Sequence, residues 1–306
     1  MAEASIPVDL LNPGQVFACL GFLEAAETLL GDARGVFDWT NEADIRFRLS
    51  ADGRESPIEF VLSTLACADV VEVEPKEWPG EHDIRAIVTG VFPCRLRDHF
   101  VDNKWTRTKL PTRIRCGNGE IVRNIDLNGW SDGSSRADFK LYSGNRTGAS
   151  ITRDMLSGKR GKPRKCFPDG KLETHGLRQL WEADRKTLIH DPFGVTCALG
   201  GNFNMDPRGA WTAIDEGFSP NEHKSMRVVA SPVVEIMAVI GLEHARPDEY
   251  DVRRVRYAVW NTALRPMLAR AALAGNGIGI PLRSFRFTLE LSGKNKVVTF
   301  SDPEKL

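Results

Sequence analysis

The chain has 306 residues, of which 42% are hydrophobic and 27% are charged, and its formal net charge is zero. These values are close to those of globular proteins and exclude a disordered, collagen-like or coiled-coil chain. The sequence shows no run of the ~20 apolar residues that a membrane span needs, and its first residues do not have the basic start and long apolar run of a signal peptide. We therefore expect a soluble cytoplasmic protein that has no membrane partner.

Three predicted helices share one kind of start, a polar N-cap residue followed by proline. The three starts are Asn12-Pro13, Ser56-Pro57 and Ser231-Pro232. Proline suits the first helical position because its backbone angle is already helical and because the N–H that it lacks would have no partner there. These starts predict helices from Pro13 to a stop at Gly31, at about 57–68, and near 232–240.

The remaining elements are predicted from apolar periodicity and turn residues. In chain order they are a strand at 45–49, a hairpin over 111–127 turning at 117–119, a strand at 139–143, a helix at 149–156, an exposed loop at 157–171, a helix at 177–189, a strand and helix within 253–275, and a closing hairpin of 284–291 with 296–300. The elements do not follow a βαβ series, so we expect an α+β fold with an irregular, β-rich body and capped helices. We divide it into a body at 1–222 and a smaller helical and hairpin part at 223–306.

The zero net charge hides a strong asymmetry along the chain. Residues 1–92 carry 6 Lys or Arg against 17 Asp or Glu, whereas residues 93–192 carry 21 against 12. An acidic front and a basic middle favour different partners for different faces, with a polyanion beside the basic one. The alternative is a mixed, solvated surface.

Catalytic motifs are missing from the sequence. The histidines and cysteines do not have metal-ligand spacing, and there is no nucleophile elbow, P-loop or dinucleotide fingerprint. Three aspartates recur every six residues and could be metal ligands of a nuclease: Asp126, Asp132 and Asp138. Because that run is rich in Gly, Ser and Asn, we favour turn roles for them. The sequence therefore predicts a protein that is not an enzyme and has no cofactor.

Two basic runs indicate nucleic-acid binding. The first, at 95–115, includes Arg107, Lys109 and Arg113 around Trp105, which suits both backbone neutralisation and base stacking. The second has five cations with no intervening acid: Lys159, Arg160, Lys162, Arg164 and Lys165. As a mobile loop it could follow phosphates without a fixed geometry. A solvated charged face is the alternative for both runs.

Between the basic runs lies a glycine-rich loop at 140–148. Its glycines permit close backbone approach, and Lys140, Asn145 and Arg146 can donate hydrogen bonds to phosphates or base edges. An ordinary strand-to-helix connection would have the same composition.

Several segments together resemble a known family. They are NPGQVFACLGFLEAAETLLG, WSDGSSRADFKLYSGNRTG, and AIDEGFSPNEH followed by PVVEIMAVIGLEHARP. In this order they are similar to CRISPR-associated proteins of type I-U (also called I-G) loci, namely the large-subunit-like proteins that are the counterpart of the type I-C large subunit. The similarity extends over most of the chain.

The resemblance implies a non-catalytic subunit of a Cascade-like surveillance complex. Its implied partners are CRISPR RNA, target double-stranded DNA, the Cascade backbone and guide-end-capping subunits, and a recruited helicase–nuclease. In this family group the large subunit recognises the protospacer-adjacent motif (PAM) and helps to unwind the duplex. The chain departs from the broader pattern because it is short and because its C-terminal third is not a plain four-helix bundle.

The resemblance also implies roles for individual residues. The family's FKL-x-x-Gly-Asn pattern matches residues 139–145, so Lys140, Asn145 and Arg146 would reach duplex DNA near the motif, with base edges read in the minor groove. The 159–165 cations would hold the displaced strand or its duplex, and the cations of the first run would hold guide or target backbone. Two alternatives stay open, a stand-alone nucleic-acid-binding protein and a metal-dependent nuclease.

Overall fold

Helices and strands are intermixed along the chain in the computed structural model. The structure describes residues 1–72, 100–101, 104–105, 112–117, 122–127, 148–166, 168, 170–210, 228–292 and 295–304. Within these ranges the strands form small separate sheets, and helices occur between them. The predicted α+β class is confirmed.

The described helices include all three of those predicted from a proline start. They are α1 (Pro13–Leu29), α2 (Pro57–Ala66), α3 (Gly148–Ser157), α4 (Leu177–His190), α5 (Pro232–Leu242) and α6 (Pro266–Leu273). The side chains of Asn12, Ser56 and Ser231 each accept a backbone N–H three residues on, at 3.1, 3.3 and 3.4 Å. Each cap satisfies one N–H that would otherwise lack a partner at the helix start.

Helices α1 and α5 pack with their backbones in direct contact at the centre of the core. Both are buried along almost their whole length. A β-carbon added to Gly21 would overlap the carbonyl oxygen of Met237, and one added to Gly241 would overlap the carbonyl oxygen of Phe17. Only glycine at these two positions permits this approach.

The strands belong to five antiparallel sheets within the described ranges. They are β1 (Ala2–Pro7), β2 (Arg34–Asp38), β3 (Arg46–Ala51), β4 (Asp69–Glu72), β5 (Phe100–Val101), β6 (Lys104–Trp105), β7 (Thr112–Cys116), β8 (Arg123–Leu127), β9 (Cys197–Ala198), β10 (Val229–Ala230), β11 (Asp248–Asp251), β12 (Arg254–Trp260), β13 (Leu282–Ser292), β14 (Asn295–Val298) and β15 (Asp302–Pro303). The sheet orders are β1-β3-β2, β4-β7-β8, β5-β6, β9-β10, and β11-β12-β13-β14 with β15 also pairing with β13. The hairpin predicted over 111–127 and the closing hairpin are both confirmed. The strand predicted at 139–143 lies outside the described residues.

Buried hydrogen bonds join the first part of the chain to the last. The Tyr257 hydroxyl donates to the carbonyl oxygen of Leu10 at 2.6 Å and also bonds the hydroxyl of Ser301 at 2.6 Å. The Trp260 indole donates to the carbonyl oxygen of Gly35 at 2.9 Å. Residues on both sides of the proposed boundary at 222 thus share one hydrophobic cluster. The division into two parts stays a prediction.

Candidate nucleic-acid interface

The second basic run lies in a segment that turns back on itself, here called the basic hairpin (residues 158–174), whose two sides meet at one antiparallel bridge between Arg160 and Leu172. Its two sides are joined by backbone hydrogen bonds from Glu173 N to Lys159 O at 2.8 Å and from Gly161 N to Lys171 O at 2.9 Å. The exposure predicted for 157–171 is confirmed for residues 162–166, whereas Gly158 and Gly170 are buried. The antiparallel bridge itself was not predicted, since the segment does not alternate apolar and polar residues as a half-buried strand does.

Glycines fix the backbone at the base of the basic hairpin. Gly158 and Gly170 have φ of +72° and +78°, values that favour glycine. A β-carbon on Gly158 would overlap the carbonyl oxygen of Thr174, and one on Gly170 would overlap that of Gly161. The backbones of the two sides therefore approach too closely to leave room for a side chain at either glycine.

The hairpin follows one helix and precedes another along the chain. At the end of α3, Gly158 N donates to the carbonyl oxygen of Asp154 at 2.9 Å. At the start of α4, the Gln179 side chain accepts the Gly176 N–H at 2.9 Å. The hairpin therefore lies between the last turn of α3 and the capped start of α4.

The structure divides the five predicted cations of this run into two groups. Lys159 forms an ion pair with Glu173 at 2.9 Å, and Arg160 donates to the carbonyl oxygen of Gly170 at 3.3 Å. The other three are exposed and form no ion pair with any residue that the structure describes: Lys162, Arg164 and Lys165. Among the described residues of the hairpin, three of the four cations that form neither an ion pair nor a side-chain hydrogen bond with a described residue therefore lie at its tip, and the fourth, Lys171, lies opposite Gly161.

The first basic run is described only in part. Arg113, on β7, faces Asp126 on β8, with Nε 2.7 Å from Oδ1 and Nη2 3.1 Å from Oδ2. This bidentate ion pair compensates the charge of Arg113 and joins two neighbouring strands. It also occupies both oxygens of one of the three aspartates that were candidate metal ligands. Arg107 and Lys109 lie outside the described residues.

The glycine-rich loop and two of the aspartates also fall outside the described ranges, so their roles stay predictions. These residues are Lys140, Asn145, Arg146, Asp132 and Asp138. In the described part of the chain, no group of three or more His, Cys, Asp or Glu side chains is placed to hold a metal ion. The helices described there include none that is both long and apolar enough to cross a bilayer.

Sequence reasoning missed a buried carboxylate that organises the loop beside the hairpin. Glu235, on α5, is fully buried, and its oxygens accept the backbone N–H groups of Phe203 at 2.7 Å, Met205 at 3.1 Å and Asp206 at 2.9 Å. The sequence feature that could have revealed it is a single acidic residue inside the apolar run VVEIMAV. A buried acid in a helix needs donors, and here a preceding loop supplies them.

Asp206 extends this hydrogen-bond network to the N-termini of α1 and α5. Its carboxylate accepts the Ser231 N–H at 2.9 Å and the Asn12 side-chain amide at 3.4 Å, and it pairs with Arg208 at 2.7 Å. Earlier in the same loop, a β-carbon on Gly200 would overlap the side chain of Lys159. The loop thus connects the N-termini of α1 and α5 to the base of the basic hairpin.

The Glu235 carboxyl predicts a pH-dependent stability. Burial raises the pKa of Glu235 to about 8, with the Asp206 carboxylate adding to the rise and the three N–H donors opposing it. The folded protein therefore binds this proton more tightly than the unfolded chain does. The stabilisation that this proton gives is fully present below about pH 4.5 and is lost as the pH rises to about 8. Above that pH, the group no longer makes the stability depend on pH. In urea titrations we expect the free energy of unfolding of Glu235→Gln to fall less than that of the wild type between pH 5 and pH 8. Parallel pH profiles for the two proteins would contradict this assignment.

Scans against protein-family models, curated proteins and solved structures found no match to this chain.

Proposed function

We propose that the protein is a non-catalytic nucleic-acid-binding subunit and, following the resemblance of its sequence, the large-subunit-like component of a type I CRISPR RNA-guided surveillance complex. In that role it recognises the protospacer-adjacent motif, helps to unwind target double-stranded DNA and helps to recruit the helicase–nuclease. Its partners are CRISPR RNA, target DNA, the Cascade backbone and guide-end-capping subunits.

The observation that carries the nucleic-acid part of this proposal is the tip of the basic hairpin. Lys162, Arg164 and Lys165 are exposed and have no ion-pair partner in the described part of the chain. Cations of this kind release counterions when they neutralise phosphates, which favours binding to any nucleic acid. Backbone hydrogen bonds join the two sides of the hairpin at its base, which lowers the ordering cost of that contact.

The non-catalytic part of the proposal follows from the division of labour in RNA-guided complexes. Guide pairing supplies most of the sequence information, while protein supplies a short readout and electrostatic contacts to the backbone. The nuclease alternative depends on three aspartates, and Asp126 is already engaged by Arg113 through both oxygens. The function therefore rests on binding rather than on a reaction.

Co-expression tests the proposed assembly. The tagged chain is produced with its neighbouring genes and a CRISPR array, purified through the tag, and analysed for mass and for bound RNA. We expect a large particle that contains processed guide RNA. A monomer without RNA, from cells in which the other subunits are demonstrably present, would contradict the assembly and favour a stand-alone nucleic-acid-binding protein.

A further inference from the structure

The first strand has an outer edge that no strand in the described part of the chain occupies. β1 lies at the end of the sheet order β1-β3-β2, so only one of its edges pairs with a described strand. The Val8 N–H donates to the carbonyl oxygen of Ile45 at 3.0 Å, which fixes the alternation of hydrogen bonds between the two strands. Residues 2, 4, 6 and 8 therefore bond β3, and Glu3 and Ser5 direct their backbone groups to the outer edge.

The backbone groups of this outer edge are accessible. Glu3 and Ser5 are exposed, and neither backbone N–H has a partner in the described ranges. The carbonyl oxygen of Ser5 accepts one bond, from Nη2 of Arg46 at 3.1 Å, and a carbonyl oxygen can accept a second. A strand edge of this kind is a template for an added strand.

A groove of about 370 Å³ lies beside this edge, between β1, the first turn of α2 and the end of α4. Its apolar lining includes Ala4, Ile58 and Ile189. Its ionisable lining includes two cations, a histidine and one acid, namely Arg185, Lys186, His190 and Glu59. The groove therefore suits a side chain that has an apolar stem and a negative end.

A break in α4 precedes the residues that line this groove. Asp184 has non-helical φ and ψ of −154° and 79°, and its carboxylate accepts the N–H and the hydroxyl of Thr187 at 3.0 and 2.6 Å. These bonds restart the helix as an N-cap residue does. Two pairs of residues, each four apart, then line the groove from one side: Arg185 with Ile189, and Lys186 with His190.

The groove has a positive charge that no described residue compensates. Arg185 forms an ion pair with Glu59 at 3.0 Å, whereas Lys186 is exposed and forms none with a residue that the structure describes. This charge favours an acidic side chain. A continuous row of phosphates along the edge would meet the exposed carboxylate of Glu3, whereas an extended peptide can also bond the backbone of the strand.

We propose that an extended segment of a partner protein adds to β1 as a further strand and places an acidic side chain beside Lys186. Main-chain hydrogen bonds to Glu3 and Ser5 supply affinity, and the basic groove supplies specificity. This docking surface goes beyond the proposed function and does not depend on nucleic-acid binding.

A designed peptide tests the proposal on the full chain. The probe is a short fluorescein-labelled peptide of alternating threonine and valine with one central glutamate, and binding is followed by fluorescence anisotropy. The same peptide with a central glutamine should bind about fivefold more weakly, because it lacks the ion pair. N-methylation of alternate residues removes the N–H groups of one edge of the peptide. In one of the two possible phases it should weaken binding at least tenfold, since each main-chain hydrogen bond contributes roughly fivefold.

Variants of the protein locate the effect. Lys186→Glu should weaken binding about tenfold or more, because it brings like charges together. The matched control is Arg286→Glu, the same change of charge at an exposed residue of another sheet, which should stay within about twofold. Ser5→Pro removes an outward N–H and should weaken binding about fivefold, whereas Ser5→Ala keeps that N–H and should bind as the wild type does.

Three results would overturn the proposal. They are equal binding of the glutamate and glutamine peptides, no effect of N-methylation in either phase, and no detectable binding at about 1 mM peptide. If a dT oligonucleotide displaced the peptide and N-methylation had no effect, the groove would be a phosphate contact instead. The proposed function stands in each case.

Discussion

Replacing Gly21 by alanine is expected to lower the free energy of unfolding by about 3 kcal/mol, at the upper end of the usual cost of overpacking. The added β-carbon would overlap the carbonyl oxygen of Met237 and lie 2.6 Å from its carbonyl carbon. These are backbone atoms, so no side chain can rotate to make room. Helices α1 and α5 would have to move apart, and the contacts on both sides of the crossing would loosen.

Urea unfolding followed by circular dichroism measures this loss. Gly277→Ala is the matched control, because a β-carbon there meets nothing within 4 Å. The control should change the free energy of unfolding by less than about 0.5 kcal/mol. Equal unfolding midpoints for Gly21→Ala and the control would show that the helices can separate at no cost, which contradicts the packing described above.

Removing the three tip charges of the basic hairpin is expected to have the largest effect on nucleic-acid binding. Changing Lys162, Arg164 and Lys165 together to glutamine should weaken binding to duplex DNA on the order of 100-fold at 0.1 M salt. The slope of log affinity against log salt should fall by ~2.7, since each lost phosphate contact removes ~0.9. Fluorescence anisotropy titrations at several salt concentrations give both quantities.

The comparison variant changes two other cations of the same hairpin, Lys159 and Arg160. Lys159 and Arg160 are bonded to Glu173 and to the carbonyl oxygen of Gly170, so their replacement by glutamine removes charge that is already compensated or engaged. We expect this variant to lose less than about tenfold in affinity and less than ~1 in slope. If the two variants lost affinity equally, total charge rather than the tip would account for binding.

Local signals explain which parts of the fold could be predicted. Asn12, Ser56 and Ser231 each stand before a proline, and each helix start needs only its own neighbours to be recognised. The hairpin β7–β8 follows from alternation and a glycine-rich turn in one short segment. In these cases the residues that determine the structure are adjacent in the sequence.

Partners that are distant in the sequence explain what could not be predicted. The strand β1 (Ala2–Pro7) pairs with β3, roughly 40–50 residues away, and although its sequence alternates, Ile6 is its only large apolar residue. Glu235 is stable in the core because Phe203, Met205 and Asp206 turn their N–H groups toward it. The basic hairpin depends on glycines whose close approach becomes visible only in three dimensions.

Contacts between residues that are distant in the sequence also limit what can be predicted of the candidate interface. The cations of the second basic run were all identified from composition, but composition treats them as equivalent. Only the structure separates Lys159, which is paired, from Lys165, which is exposed and has no ion pair with a described residue. Side-chain pairing across a hairpin therefore decides which charges of a basic run are available.

The packing of α1 against α5 has a consequence for synthesis of the protein on the ribosome. Helix α1 is buried along almost its whole length, and its main partner begins roughly 200 residues later, so at ~5–20 residues per second it waits about 10–40 s for that partner. During this interval its apolar surface has to be covered by the ribosome exit tunnel, by a chaperone or by temporary contacts. A fragment that starts at an internal methionine such as Met205 would include α5 without α1. Such a fragment would expose a helix whose residues are all buried in the whole chain, so we expect it to be insoluble when expressed alone.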